Sequence, residues 1–143
     1  MTVSSYFTDD HRSCDQTWAE VERLVDEGQE APAQAAFARF AAEMEHHFAM
    51  EEQVLFPAFE QATGMTAGPT QVMRMEHDQM RVVLGQIIDH AERGDFDGML
   101  DHGDTLHMLI QQHNAKEEGI LYPMAERLLA GGWNDVAGRL VHY

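Results

Sequence analysis

An eleven-residue phrase occurs twice in this chain. "HFAMEEQVLFP", His47 to Pro57, returns 66 positions later as "HNAKEEGILYP", His113 to Pro123. Both read His, three residues, Glu-Glu, two residues, Leu, an aromatic, Pro. The offset reaches beyond the phrase. His11 in "DDHRSCD" lies 66 positions before His77 in "MEHDQMR", and in each half the first His precedes the second by 36. A fixed offset of this kind marks two copies of one supersecondary unit. Each copy carries one His and then a His-x-x-x-Glu.

The unit is helical. In the second segment the core-facing residues run Phe37, Phe40, Met44, His47, Glu51, Val54, Ala58, in alternating steps of three and four. In the fourth they run Gly103, Leu106, Ile110, His113, Glu117, Ile120, Met124. The first gives His11, Cys14, Trp18, Val21, Val25, and the third Met73, His77, Met80, Leu84, Ile87, Ala91. These are helix-period stripes. Gly28, Gly94 and the stretch "TGMTAGPT" break the pattern, and Pro32 and Pro69 suit first turns. The expected fold is all-α: an up-down-up-down four-helix bundle with helices over about 8–27, 32–62, 69–93 and 96–129. A short C-terminal helix follows, capped near Asn134. Pro57 and Pro123 should kink the helices that hold them, because proline removes a backbone donor. The 143 residues make a single domain, 1–143, of two pseudo-repeats, 8–62 and 69–129. The midpoint of His11 and His47 falls beside Gly28, and that of His77 and His113 beside Gly94. Each hairpin should therefore bring its two histidines level.

Six polar residues interrupt the seams: His11, His47, Glu51, His77, His113 and Glu117. Four imidazoles and two carboxylates in one core layer are costly unless paired or coordinated. A His and a Glu four apart on a helix face the same way, so two such pairs plus two more histidines form an N4O2 set. Those donors suit iron, manganese or zinc. Two ions fit better than one, with each Glu bridging, two His on each ion, and an oxo or hydroxo bridge completing about five ligands apiece. That leaves a position for an exogenous molecule. The bland alternative is a metal-free polar layer.

The phrases "DDHRSCD", "HFAMEEQVLFP", "MEHDQM" and "HNAKEEGILYP" resemble the hemerythrin-like (HHE) cation-binding domain, over about residues 5–130. The resemblance implies a four-helix bundle with a non-haem di-iron centre. His11, His47, His77 and His113 would be ligands, with Glu51 and Glu117 as bridging carboxylates. Oxygen-carrying hemerythrins have His-x-x-x-His on the third helix and His-x-x-x-x-Asp on the fourth. Here Met73 and Arg81 flank His77 at four residues, and Glu117 and Glu118 follow His113. The pattern is closer to the di-iron domain of bacterial iron–sulfur repair and nitric-oxide-stress proteins, without their extra cysteine-containing N-terminal domain. The implied function is binding and reacting with a small molecule (O2, NO or peroxide), with an electron-donor protein as partner. Reversible O2 binding, redox sensing, and iron storage or donation are the alternatives.

Other features narrow the field. A formal net charge of −16 opposes nucleic acid and anionic membranes as partners. No apolar run is long enough to span a bilayer, and the first fifteen residues carry no signal-peptide pattern. The single cysteine, Cys14, permits no intrachain disulfide, which fits the cytoplasm. Cys14 reads as a core filler. Met44, Met73, Met80 and Met124 read as core that could also line a small-molecule pocket. Glu52 and Glu118, turned about 100° from the favoured carboxylates, read as solvated or as partners of the ligands. Tyr6 and Tyr122 could each supply an oxygen ligand or a hydrogen bond. Asp15, whose repeat mate is Arg81, breaks the symmetry and is not expected to bind metal. His46, His90, His102, His107 and His142 lie off the seams and read as surface residues.

Overall fold

A computed structural model describes residues Met1–Tyr143. Helix α1 spans Val3–Asp26, α2 Glu30–Met50, α3 Phe56–Thr63, α4 Pro69–Glu92, α5 Phe96–Lys116, α6 Tyr122–Leu128 and α7 Trp133–Val141. The chain is an all-α bundle. α1 packs on α2 and α4 on α5, giving two hairpins. α1 starts five residues before the expected boundary. A capping box explains this: Ser5 N–H donates to Thr2 Oγ1 at 3.1 Å, and Thr2 N–H donates to Ser5 Oγ at 2.8 Å.

The hairpin turns are repeat mates. Gly28 and Gly94 adopt φ of 72° and 69°, a left-handed conformation that glycine enters without steric penalty. In each turn the next residue folds back onto the helix: Gln29 N–H donates to Leu24 O, and Asp95 N–H donates to His90 O. α7 starts at Trp133 rather than after Asn134, with Gly132 at its cap. It buries Val136, Ala137 and Leu140 at the open end of the bundle. No helix is long and apolar enough to cross a membrane.

At both prolines the regular α-helix is interrupted. Between α2 and α3, and again between α5 and α6, the helix widens into a π-turn, Glu51–Leu55 and Glu117–Leu121. Phe56 N–H donates back to Glu51 O and Tyr122 N–H to Glu117 O, five residues each. Pro57 and Pro123 lack an N–H, and their rings crowd the carbonyl four residues back. The widened turn relieves that crowding upstream. It also inserts one residue into the stripe. Ile120, expected in the seam, is 58% exposed, while Leu121, Tyr122 and Ala125 are buried. In the other half Leu55, Phe56 and Phe59 are buried, Val54 keeps its place, and Ala58 turns half outward. Met124 is likewise only half-buried, and in α1 Leu24 takes the place expected for Val25.

The polar layer sits between two apolar clusters. One, toward the hairpin turns, contains Trp18, Phe37, Phe40, Met80, Leu84 and Leu106. The other, toward α7, contains Phe7, Met50, Leu55, Phe56, Phe59 and Leu121. Packing is tight in the first: a Cβ at Gly103 would lie 2.1 Å from Trp18 Cζ2. Gly103→Ala should therefore cost about 1–3 kcal/mol by overpacking, a fall of roughly 3–10 °C in melting temperature. Thermal denaturation of the variant checks this; an unchanged melting point would refute the packing described.

Candidate metal centre

The six seam residues meet in one layer. His11, His47, His77, His113, Glu51 and Glu117 are all buried, the two carboxylates at 0% exposure. The hairpins level their histidines: the rings of His11 and His47 lie 4.6 Å apart and those of His77 and His113 4.9 Å. Each carboxylate then reaches across to the other hairpin. Glu51 Oε1 lies 3.1 Å from Nε2 of His47 and 3.1 Å from Nε2 of His77. Glu117 Oε1 lies 3.1 Å from Nε2 of His113 and 3.1 Å from Nε2 of His11. Their repeat positions also begin the two π-turns, so the widened backbone starts at the carboxylates themselves.

What faces the back of each imidazole decides the chemistry. His11 Nδ1 is 2.8 Å from Glu118, His47 Nδ1 2.6 Å from Asp10, His77 Nδ1 2.7 Å from Glu52, and His113 Nδ1 2.9 Å from Glu76. A carboxylate accepts, so each Nδ1 donates and each Nε2 turns a lone pair inward. The imidazole and carboxylate atoms of the six at the centre are then acceptors. His11 Nε2 and His47 Nε2 face each other at 3.1 Å. His113 Nε2 and Glu117 Oε2 are buried with no hydrogen-bond partner, although Nε2 stands 3.1 Å from Glu117 Oε1. That approach is close but misaligned for a hydrogen bond. These groups converge on a centre rather than on one another, and only a cation or shared protons can satisfy them.

Asp10 and Glu76 are repeat mates, as are Glu52 and Glu118. Glu52 and Glu118 are thus neither free surface acids nor central groups; each orients a histidine of the opposite hairpin. Arg81 grips Glu52 through both terminal nitrogens, at 2.9 and 3.0 Å, and Lys116 pairs with Glu76. Six carboxylates against two cations leave four negative charges, the complement of two divalent ions. The donors fall into two groups that share Glu117: Glu51, His77, His113 and Glu117, and His11, His47 and Glu117.

The electrostatics follow from this crowding. Burial would push the His47 pKa down, but Glu51, Asp10 and Glu117 hold it well above the usual range. His113 is raised against burial by Glu117 and Glu51. Burial would raise Glu117; its neighbours Glu51, His11 and His113 instead hold it well below the usual carboxylate range. Without a cation, protons occupy its place.

Tyr122 also enters the layer. Its hydroxyl lies 2.8 Å from Glu51 Oε2, 2.9 Å from Glu117 Oε1 and 3.1 Å from His11 Nε2. Burial and the charges of Glu117 and Glu51 push its pKa well up. Tyr6 stays outside, against Met50 Sδ at 3.7 Å. Asp15 forms no hydrogen bond or ion pair with the six; burial raises its pKa. Cys14 is buried and its thiol is pushed up to about 12, chiefly by burial. His46, His107 and His142 are exposed as expected. His90 and His102 are not: they are half-buried and stack at 4.8 Å, with His90 Nδ1 on Asp95. The turn at Gly94 folds Asp95 back onto α4 and encloses them.

A bundle whose central layer points buried imidazole and carboxylate acceptors at common centres is a cation-binding protein. The profile of the hemerythrin HHE cation binding domain matches residues 2–125, and the chain belongs to that family. No curated protein matches the chain, and no solved structure does.

The outer carboxylates give a direct prediction. Glu52→Gln keeps the shape but weakens the acceptor on His77 and strands Arg81. Metal affinity should fall about 10–100-fold, measured by competition with a chromophoric chelator. Unchanged affinity would mean that Glu52 does not orient His77.

Proposed function

We propose that this chain is a non-haem di-iron protein that binds and reacts with a small molecule, O2, NO or peroxide. The observation that carries the reading is a cavity against the imidazoles of His11, His47 and His113, closed by Met44, Met80 and Ile110. Its volume is about 10 Å³, room for one water-sized molecule. Its walls are apolar apart from the donors and Asn114. A molecule that reaches the centre on this side must be small and lose its hydration to enter.

The donor set supports iron, since imidazole and carboxylate without thiolate suit it, and the two donor groups support two ions. Bound there, the pair would supply two one-electron redox centres. The protein's own part is positioning. Asp10, Glu52, Glu76 and Glu118 lock the four Nε2 lone pairs inward, and Glu51 and Glu117 tie the hairpins together at the centre. The apolar clusters on either side exclude bulk water. Around His77 the positions that would hold a further imidazole are otherwise engaged. Met73 is buried in the apolar cluster, and Arg81 is spent on Glu52 and Glu45. That favours open coordination and reaction over simple oxygen carriage. Turnover would draw electrons from a donor protein, and a cytoplasmic setting belongs to the same proposal.

The test is elemental analysis with an absorption spectrum, followed by stopped-flow mixing of the reduced protein with O2, NO and hydrogen peroxide in turn. Two irons per chain and a spectral change with at least one reagent are expected. No change with any of them sinks the reading. A change with O2 that reverses under repeated argon cycles would assign carriage instead.

A further inference from the structure

The two donor groups are unequal. Glu51, His77, His113 and Glu117 converge on one point, and His11, His47 and Glu117 on another, where Glu51 approaches only His47. The repeat also differs beside the central layer. Position 56 is phenylalanine and its mate 122 is tyrosine. Both rings take the same station: Phe56 stacks on His77 at 5.6 Å and 25°, Tyr122 lies against His11 at 5.7 Å and 31°. The hydroxyl is therefore present on the side where the donors converge less closely and absent on the other.

Its surroundings contain acceptors only. Glu51 Oε2, Glu117 Oε1 and His11 Nε2 all lie within 3.1 Å of the phenol oxygen. His11 Nε2 is an acceptor because its Nδ1 donates to Glu118. One hydroxyl proton cannot serve three buried acceptors. The outer shell is unequal in the same sense. The carboxylates behind His77 and His113 are gripped by Arg81 and Lys116, whereas no Lys or Arg pairs with Asp10 or Glu118, behind His47 and His11. The His11 side carries the uncompensated negative charge, and so can hold the more highly charged ion together with an anionic ligand.

We propose that the phenol oxygen of Tyr122 is a further protein ligand of the ion held by His11, His47 and Glu117, bound as phenolate after its proton passes to solvent. This rests on the metal-centre reading above. It makes the two ions chemically distinct although all six central residues recur at one offset.

The experiment loads the full chain with ferrous iron without oxygen, oxidises it, and records visible absorption and resonance Raman spectra beside the iron content. Wild type should hold two irons and show phenolate ring modes enhanced in a visible charge-transfer band. Tyr122→Phe copies the residue that already stands at position 56. It should lose the band and the modes while still binding iron in the four-donor group. Two irons in wild type without phenolate modes overturn the assignment and leave the metal centre standing, and so do modes that persist in Tyr122→Phe. A wild-type chain that takes up no iron overturns both. The wild-type spectrum decides the matter even should the variant fail to fold.

Discussion

Glu117→Ala is expected to empty the His11–His47 position and to strip the protein of its visible absorption. Glu117 is the one residue common to both donor groups. Its Oε1 stands between His113 and His11, one from each hairpin, and its Oε2 is buried with no other partner. Removing it leaves Glu51, shared between His47 and His77, as the only carboxylate among four imidazoles. One buried carboxylate cannot balance two cations, and the His11–His47 pair, with Glu51 near only His47, holds its ion the more weakly. After saturating iron and desalting, at most one ion per chain should remain, against two in wild type. His47→Ala, which touches only one group, should cost that group its ion and spare the other. The order separates a bridging carboxylate from a terminal ligand. Met124→Ala is the control, since Met124 lies at the margin of the apolar cluster toward α7 and should keep both ions. Two ions per chain in Glu117→Ala would refute the geometry on which the proposed function rests.

Much of this site is written in the 66-residue offset. Any residue type that recurs at that spacing on an apolar stripe has a structural partner, and the six central side chains emerge from that rule. The turns at Gly28 and Gly94 follow from it as well, because the repeat places a glycine where each hairpin reverses. Asp10 and Glu76 obey the same offset: an acid stands directly before the first histidine of each half. They are legible once the histidines are read as needing something to orient them. Glu52 and Glu118 are harder. Helix geometry turns them away from Glu51 and Glu117, and only the approach of the opposite hairpin makes His77 and His11 their partners. Tyr122 is harder still. Its inward position depends on the π-turn, a relief of proline crowding that a fixed helical period cannot express. A strict three-and-four count points to Ile120, which the extra residue turns outward to 58% exposure.

Heating the metal-free protein at rising pH should expose how protons substitute for the cation. Burial favours a neutral His77, but hydrogen bonds to Glu51 and Glu52 outweigh burial and raise its pKa to about 9. Its unfolded value is roughly 6.5. A group whose folded pKa is raised contributes stability in full below the unfolded pKa and loses it as pH climbs through the folded one. The window is therefore about 6.5 to 9, and for His77 alone the loss is on the order of 3 kcal/mol. His47 and His113 shift the same way. The melting temperature of metal-free protein should drop by roughly 10 °C across that window. Bound metal reverses the sign. Ligand nitrogens must be deprotonated to bind, so affinity grows with pH, and the stabilisation from a bound ion grows with affinity. The gap between the melting temperatures of loaded and chelator-treated protein should widen steadily from pH 6 to pH 9. Calorimetry of the two forms at four or five pH values measures it directly. A gap that narrows as pH rises would show that the histidines do not exchange protons for metal, and a plain polar layer would then be the better description of the core.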